Sequence, residues 1–160
     1  MKRGFIYLSF LLIFLLLFRT FLFSSYVVEG RSMEPALHDG DRAVVSVMGD
    51  LLQPLESRDM IFFRMNEETF VKRVLAVPGD YLAVHHRYLY VNGERYSDTK
   101  ADYQELLNIS ESNGQVVPEK CYIVLGDNLQ ESADSRTYGC IAENDIIGKV
   151  IGHFDLKFNE

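Results

Sequence analysis

The chain has 160 residues and a formal charge of −7, which comes from 23 acidic and 16 basic side chains. All acidic residues lie after residue 23, and that part of the chain carries a net charge of −10. A nucleic-acid partner requires a basic face, so this composition argues against one. Two cysteines are too few for a disulfide scaffold, and whether Cys121 and Cys140 pair stays open from the sequence.

The N-terminal segment predicts one transmembrane helix. Lys2 and Arg3 precede a run that is apolar apart from Arg19, and about 20 residues suffice to cross a bilayer. A cleaved signal peptide is the alternative, but the run is long and no good cleavage site follows it. Because basic residues stay on the inner side, we expect residues 1–23 to be an anchor with a cytoplasmic N-terminus and residues 24–160 to lie outside the cell membrane.

The outside part predicts a mostly β fold. Short apolar runs alternate with turn residues, which is typical of antiparallel β-sheet. The predicted strands are 43–47, 60–64, 69–77, 81–84, 88–91, 94–96, 120–125 and 146–151. Asn92-Gly93 predicts a type I′ hairpin turn, because that turn needs positive φ at both central residues. The polar stretch 97–117 predicts an excursion from the sheet, with one or two helical turns within 102–107, and nothing indicates a second outside domain.

A serine between two backbone constraints is the first candidate for chemistry. Gly30 allows backbone paths that a Cβ obstructs, and Pro35 restricts both itself and the residue before it. We expect Ser32 on a stiff, exposed turn, which suits a nucleophile; the alternative is an ordinary surface serine. His38 could serve in a Ser-His-Asp arrangement, but this stretch departs from the G-x-S-x-G elbow at its last position, and the four histidines are interpreted as ordinary turn or surface residues.

Lys72 is the candidate base. Alternation along the predicted strand puts it on one face with Phe70, Val74 and Ala76, an apolar setting for an ammonium group. Burial disfavours the charged form and lowers a lysine pKa from its ordinary value, which would make Lys72 a usable base. The alternative is an edge-strand lysine that discourages aggregation.

A loop bracketed by Gly126 and Gly139 carries the most specific pattern. Within it, Asp134 and Arg136 could form a charge-assisted pair that stiffens the loop, and Ser132 or Ser135 could orient a neutral lysine. A solvated loop and an acidic metal site are the alternatives. The spacing of an EF-hand is absent, so no metal is predicted.

Together these stretches resemble the type I signal peptidases of bacteria, in their small Gram-positive form. Residues 32–37 follow Ser-Met-x-Pro-Thr-Leu with alanine for threonine, and 40–47 give Gly-Asp before a valine-rich strand. Residues 72–80 follow Lys-Arg-Val-x-Gly-x-Pro-Gly-Asp with alanine for the first glycine. Residues 126–139 match Gly-Asp-Asn-x-x-x-Ser-x-Asp-Ser-Arg-x-aromatic-Gly in full. The resemblance implies a signal-peptidase-like antiparallel β catalytic domain.

The resemblance also implies a Ser-Lys dyad, in which Ser32 attacks the scissile carbonyl and neutral Lys72 takes its proton. Ser132 falls on the family's lysine-orienting serine, and Asp134 and Arg136 fall on the supporting pair. The oxyanion hole would use the Ser32 N–H. Gly30 stands where some members add a hydroxyl donor, so the second donor stays undetermined.

The predicted substrates are secretory preproteins, bound as an extended strand and cut after an Ala-x-Ala type of sequence. We expect Tyr26–Val28 and Val74–Val77 to form the walls of the small-residue pockets. No cofactor is predicted, and membrane lipid is the other expected partner. The prediction is a membrane-bound serine endopeptidase. The alternatives are a Ser-Lys protease with another target, such as a self-cleaving repressor, and a catalytically silent tethered β domain that binds preproteins or assists an active paralogue.

Overall fold

The computed structural model describes residues 22–47, 54–99, 101–111 and 115–155, together with Tyr7 and residues 9–14. Within this part of the chain, no helix is both long enough and apolar enough to cross a membrane. Most of the predicted anchor, residues 1–23, lies outside the described residues. Phe23, the last residue assigned to that anchor, already belongs to the first strand of the sheet.

The described chain is built mainly from antiparallel strands. Its elements are β1 (Phe23–Val27), β2 (Arg42–Ser46), β3 (Met60–Met65), β4 (Glu68–Ala76), β5 (Leu82–His85), β6 (Tyr88–Val91), β7 (Glu94–Arg95), α1 (Gln104–Glu111), β8 (Cys121–Leu125), α2 (Ser135–Tyr138), β9 (Ile141–Ala142) and β10 (Ile146–Phe154). Among the described residues, seven strands form one sheet in the order β1-β2-β10-β3-β4-β8-β9, and β5-β6-β7 form another. All of these neighbours pair antiparallel. The prediction of a mostly β, antiparallel domain is therefore confirmed.

Local turn chemistry accounts for the hairpin between β6 and β7. Asn92 and Gly93 have φ of 52° and 83°, as a type I′ turn requires. The predicted helical turns at 102–107 are observed two residues later, as α1. The elements β1, β9 and α2 were not predicted: β1 begins within the predicted anchor, and β9 and α2 have only two and four residues.

An apolar cluster lies beneath the turn that follows β1. Met33 and Leu37 are 1% and 0% exposed and belong to one cluster with Phe62 and Val71. Burying such a side chain contributes roughly 1.5–3 kcal/mol. The two residues therefore anchor the 32–36 turn to the sheet, although the turn itself has no regular secondary structure.

Strand β4 extends further than its neighbour β8. The pairs between them begin at Arg73 with Leu125, so residues 68–72 have no β8 partner in the described chain. Lys72 is the last residue of this open stretch. The sheet thus leaves a free strand edge beside the lysine.

Candidate active site

The predicted nucleophile and the predicted base meet. Lys72 Nζ lies 2.7 Å from Ser32 Oγ, across 40 residues of sequence. Lys72 also donates to the carbonyl oxygen of Val71 at 2.9 Å, and it is 3% exposed. None of the four histidines hydrogen-bonds to Ser32 in the described part of the chain, where Lys72 is the partner found for its hydroxyl.

The environment of Lys72 lowers the pKa of its ammonium group. Burial lowers the Lys72 pKa from 10.5 to about 8, and the charge of Asp134 acts in the opposite direction. The Phe70 ring, with its centroid 5.9 Å from Nζ, is part of the apolar surroundings. At pH 7 a pKa of about 8 leaves roughly one lysine in ten neutral, compared with about three in ten thousand at a pKa of 10.5. Lys72 can therefore accept a proton near neutral pH.

The backbone around Ser32 is fixed by hydrogen bonds as well as by packing. Within the turn, the Leu37 N–H donates to the Met33 carbonyl at 3.0 Å. From the other side, the Asn128 N–H donates to the Ser32 carbonyl at 3.0 Å. The 126–139 loop therefore holds the nucleophile directly, a contact that the sequence did not predict.

Gly126 explains how the 126–139 loop comes so close to the backbone of Ser32. A Cβ built on Gly126 would lie 2.6 Å from the Ser32 carbonyl oxygen and 2.2 Å from Ser132 Oγ, closer than real Cβ contacts allow. The predicted orienting residue Ser132 thus packs on the same glycine as the nucleophile's backbone. Its buried Oγ has no hydrogen-bond partner within the described residues. Ser135, the other serine considered for this role, instead accepts from the Val124 N–H at 2.9 Å.

Asp134 and Arg136 form the predicted pair, and it is bidentate. The Arg136 Nε and Nη2 each lie 2.9 Å from a different Asp134 oxygen. The Asp134 carboxylate is fully buried and also accepts from the Gly126 N–H at 3.1 Å. Arg136 Nη2 reaches on to the carbonyls of Leu129 and Ser132. The pair therefore ties both ends of the 126–132 segment to the start of α2.

A second ion pair connects the loop to β4, and the sequence analysis missed it. Arg73, which follows Lys72, donates from Nε and Nη2 to the two oxygens of Asp127 at 2.7 and 2.6 Å. Its Nη1 donates to the Arg58 carbonyl at 2.8 Å. The sequence offered one signal for this ion pair: a basic residue follows Lys72, and an acidic residue follows Gly126.

The two cysteines form a disulfide. Cys121 begins β8 and Cys140 follows Gly139, with Cα atoms 5.4 Å apart. The crosslink therefore closes a covalent ring that contains the whole 126–139 loop. The question that the sequence left open is answered here by the placement of the two backbones.

Gly30 lies where it cannot supply a free donor. Its N–H donates to Asp39 Oδ1 at 2.7 Å, and its φ of 82° is one that glycine adopts readily. The Ser32 N–H, in contrast, has no hydrogen-bond acceptor among the described residues. Of the two positions predicted for the oxyanion region, the backbone of Ser32 has the available donor.

A cleft of about 710 Å³ leads up to the dyad. One predicted wall, Tyr26–Val28, lines it, and the Tyr26 ring stacks on Phe62 with centroids 4.9 Å apart. The other predicted wall was wrong. Val74, Leu75 and Ala76 are buried in the core, and the opposite side of the cleft is formed by Phe70 and Val71, nearer the start of β4.

Comparisons with known proteins identify the family of this chain. The family model described as "Signal peptidase, peptidase S26" matches residues 2–154. Signal peptidase I of Bacillus caldolyticus is 40% identical over 144 residues, which cover 82% of this chain and 79% of that protein. Signal peptidase IB of Staphylococcus aureus is 33% identical over 159 residues, covering 87% and 83%. The crystal structure of a signal peptidase I from Enterococcus faecalis is 26% identical, with a TM-score of 0.49, over 61% of this chain and 97% of that one. The chain belongs to the signal peptidase family, peptidase S26.

Proposed function

We propose that this protein is a membrane-bound serine endopeptidase that removes N-terminal signal peptides from secretory preproteins, cutting after small residues in Ala-x-Ala type sites. The observation that carries the proposal is the 2.7 Å contact between Ser32 Oγ and a lysine that is 3% exposed. A hydroxyl needs an adjacent base to act as a nucleophile, and a desolvated lysine meets that need.

The reaction begins when neutral Lys72 takes the proton of Ser32 as Oγ attacks the scissile carbonyl. The resulting ammonium then protonates the leaving amine, and a water molecule, deprotonated in turn by Lys72, hydrolyses the acyl-enzyme. The Ser32 N–H, for which the described residues offer no acceptor, donates to the developing oxyanion. Gly30 has no side-chain hydroxyl and its N–H is bound to Asp39, so it contributes no second donor.

Ser132 is proposed to orient Lys72. A lysine ammonium has three donors, and two of those of Lys72 are used, on Ser32 and Val71. A buried hydroxyl without a partner costs about 1–3 kcal/mol, so a third hydrogen bond from Lys72 to Ser132 Oγ is favoured. Asp134 and Arg136 support this arrangement through the loop.

The substrate is proposed to bind as a strand in the cleft. Residues 68–72 of β4 offer a free edge for main-chain hydrogen bonds, and Tyr26 and Phe62 restrict the side chains that fit beside it. The small-residue preference follows from this restriction, because a larger side chain would collide with the two rings.

Membrane attachment completes the proposal. Strand β1 begins at Phe23, the last residue of the predicted anchor, so the cleft would lie close to the bilayer surface from which preproteins emerge. Phe23 and Val27 on β1 and Ile151 on β10 are exposed apolar side chains suited to contact with lipid. The N-terminus would then be cytoplasmic and the catalytic domain outside.

Cleavage of a model preprotein tests the function. The full chain in detergent should release the mature protein from an Ala-x-Ala substrate, with kcat/KM rising through a pKa of about 8. Ser32→Ala, Lys72→Ala and Lys72→Arg should each abolish cleavage, while Arg87→Gln, at an exposed hairpin turn, serves as the matched control. Activity that survives Lys72→Ala would remove the lysine from the mechanism. Folded protein without any cleavage would favour the silent preprotein-binding domain.

A further inference from the structure

A second cavity, of about 440 Å³, lies beyond the nucleophile. The cleft before the dyad includes Ser32, whereas this cavity is lined by Pro35 and Ala36 at the far end of the same turn. Gly126 and Asp127, from the loop that holds the Ser32 carbonyl, also line it. Both spaces thus adjoin one turn, and Ser32 lines the cleft while Pro35 and Ala36 line the second cavity.

Two guanidinium groups line the cavity, and they differ in whether a carboxylate pairs with them. Arg73 is neutralised by its two hydrogen bonds to Asp127. Arg58 has no carboxylate within ion-pair distance among the described residues, and its guanidinium lies 5.9 Å from the centre of the Tyr96 ring. Arg58 therefore keeps its positive charge at this cavity, in a domain whose net charge of −10 offers it no paired carboxylate among the described residues.

The backbone of Arg58 is fixed in an unfavourable conformation. Its φ is 79°, in the left-handed region that non-glycine residues rarely adopt. Two hydrogen bonds hold it there, from the Arg58 N–H to the Val74 carbonyl at 2.7 Å and from Arg73 Nη1 to the Arg58 carbonyl at 2.8 Å. Such strain persists where the surroundings over-determine it, often at functional sites. The arginine is therefore held at the rim of the cavity by the same residue that follows the base.

We propose that this cavity receives the preprotein segment just after the scissile bond, and that Arg58 binds an acidic side chain within its first few residues. The proposal rests on the proposed function, in which the segment before the cut fills the cleft, and it assigns the segment after the cut to the cavity lined by Pro35 and Ala36. An extended chain advances about 3.3 Å per residue, so a few residues suffice to enter the cavity. A carboxylate there meets the free guanidinium and completes an ion pair.

Matched substrates test the proposal. Two Ala-x-Ala preproteins, with Glu or Gln at the second to fourth positions after the cut, are compared for kcat/KM and for equilibrium binding to the uncleaving Ser32→Ala variant. We expect the Glu substrate to be favoured about two- to fivefold, as for a partly exposed ion pair, and the preference to fall as salt is raised. In an Arg58→Gln background the ratio should fall to about one, and in Arg58→Glu it should invert. Arg87→Gln, which removes an exposed positive charge elsewhere, should keep the wild-type ratio.

The outcomes separate the two proposals. If the wild type cleaves neither substrate, the proposed function fails, while binding to the Ser32→Ala variant still reports on Arg58. If Glu and Gln substrates bind and react equally, or if Arg58→Gln keeps the preference, the assignment of this cavity is overturned.

Discussion

Replacing Lys72 with methionine is expected to stabilise the folded protein at neutral pH while abolishing catalysis. The Lys72 pKa is about 8 in the folded state and 10.5 in the unfolded chain. At 1.36 kcal/mol per pKa unit, the folded state is penalised by roughly 3 kcal/mol when both states carry the proton. The hydrogen bonds lost with the ammonium offset part of this gain, so we expect a net stabilisation of about 1–2 kcal/mol at pH 7.

The stability difference between Lys72→Met and the wild type should depend on pH in a direction that the lowered Lys72 pKa fixes. Between about pH 8 and pH 10.5 the unfolded chain binds the lysine proton and the folded protein does not, so the free energy of unfolding of the wild type rises with pH across this window. Lys72→Met lacks this rise. The advantage of the variant should therefore be largest below pH 8 and should shrink by roughly 3 kcal/mol by pH 10.5.

Urea unfolding of the full chain in detergent measures the effect. The chain has no tryptophan and tyrosine ionises near the upper limit, so far-UV circular dichroism is the suitable signal. Lys120→Met, at an exposed position, controls for the loss of one positive charge. If the difference between wild type and Lys72→Met stays constant from pH 7 to pH 10.5, Lys72 is not desolvated and the basis for its role as a base is refuted.

Three further predictions concern substitutions in or next to the loop that contacts the dyad. Asp134→Asn removes a charge that raises the Lys72 pKa, so the rise of kcat/KM should move to lower pH, while the free energy of unfolding drops by about 3 kcal/mol as a buried pair is broken. Gly126→Ala forces the loop away from the nucleophile and should lower kcat by about 100-fold or more, since displacements near 1 Å have such effects. Cys140→Ser removes the disulfide between two cysteines that are 19 positions apart in the sequence. It should lower the free energy of unfolding by about 3 kcal/mol.

Each of these has a measurement that can contradict it. For Asp134→Asn, a pH–rate profile that moves upward or stays in place is inconsistent with the assigned charge effect. Gly152→Ala, where a Cβ meets nothing within 4 Å, is the control for Gly126→Ala, and equal activity of the two would exclude the close approach. For Cys140→Ser, an unfolding midpoint equal to that of the oxidised wild type would mean that the disulfide does not stabilise the loop.

Much of the site could be predicted from sequence because its chemistry is carried by local motifs. Ser32 on a constrained turn, Lys72 on an apolar strand face and the Asp134–Arg136 pair each depend on residues close together in the chain. Short apolar runs bounded by turn residues also predicted most strands to within a few residues, because such runs supply the buried side chains of a sheet. Strand β1 begins within the predicted anchor, and β9 and α2 lacked enough residues to show such a run.

The sequence by itself determined most of the strands, the hairpin turn at Asn92-Gly93 and the candidate residues. Only the tertiary structure decided which of them meet. That Asn128 holds the Ser32 carbonyl, that Arg73 binds Asp127 and that Cys121 reaches Cys140 depends on how β4, β8 and the loop pack together. Long-range contacts of this kind are set by packing and register, which no local pattern in the chain encodes.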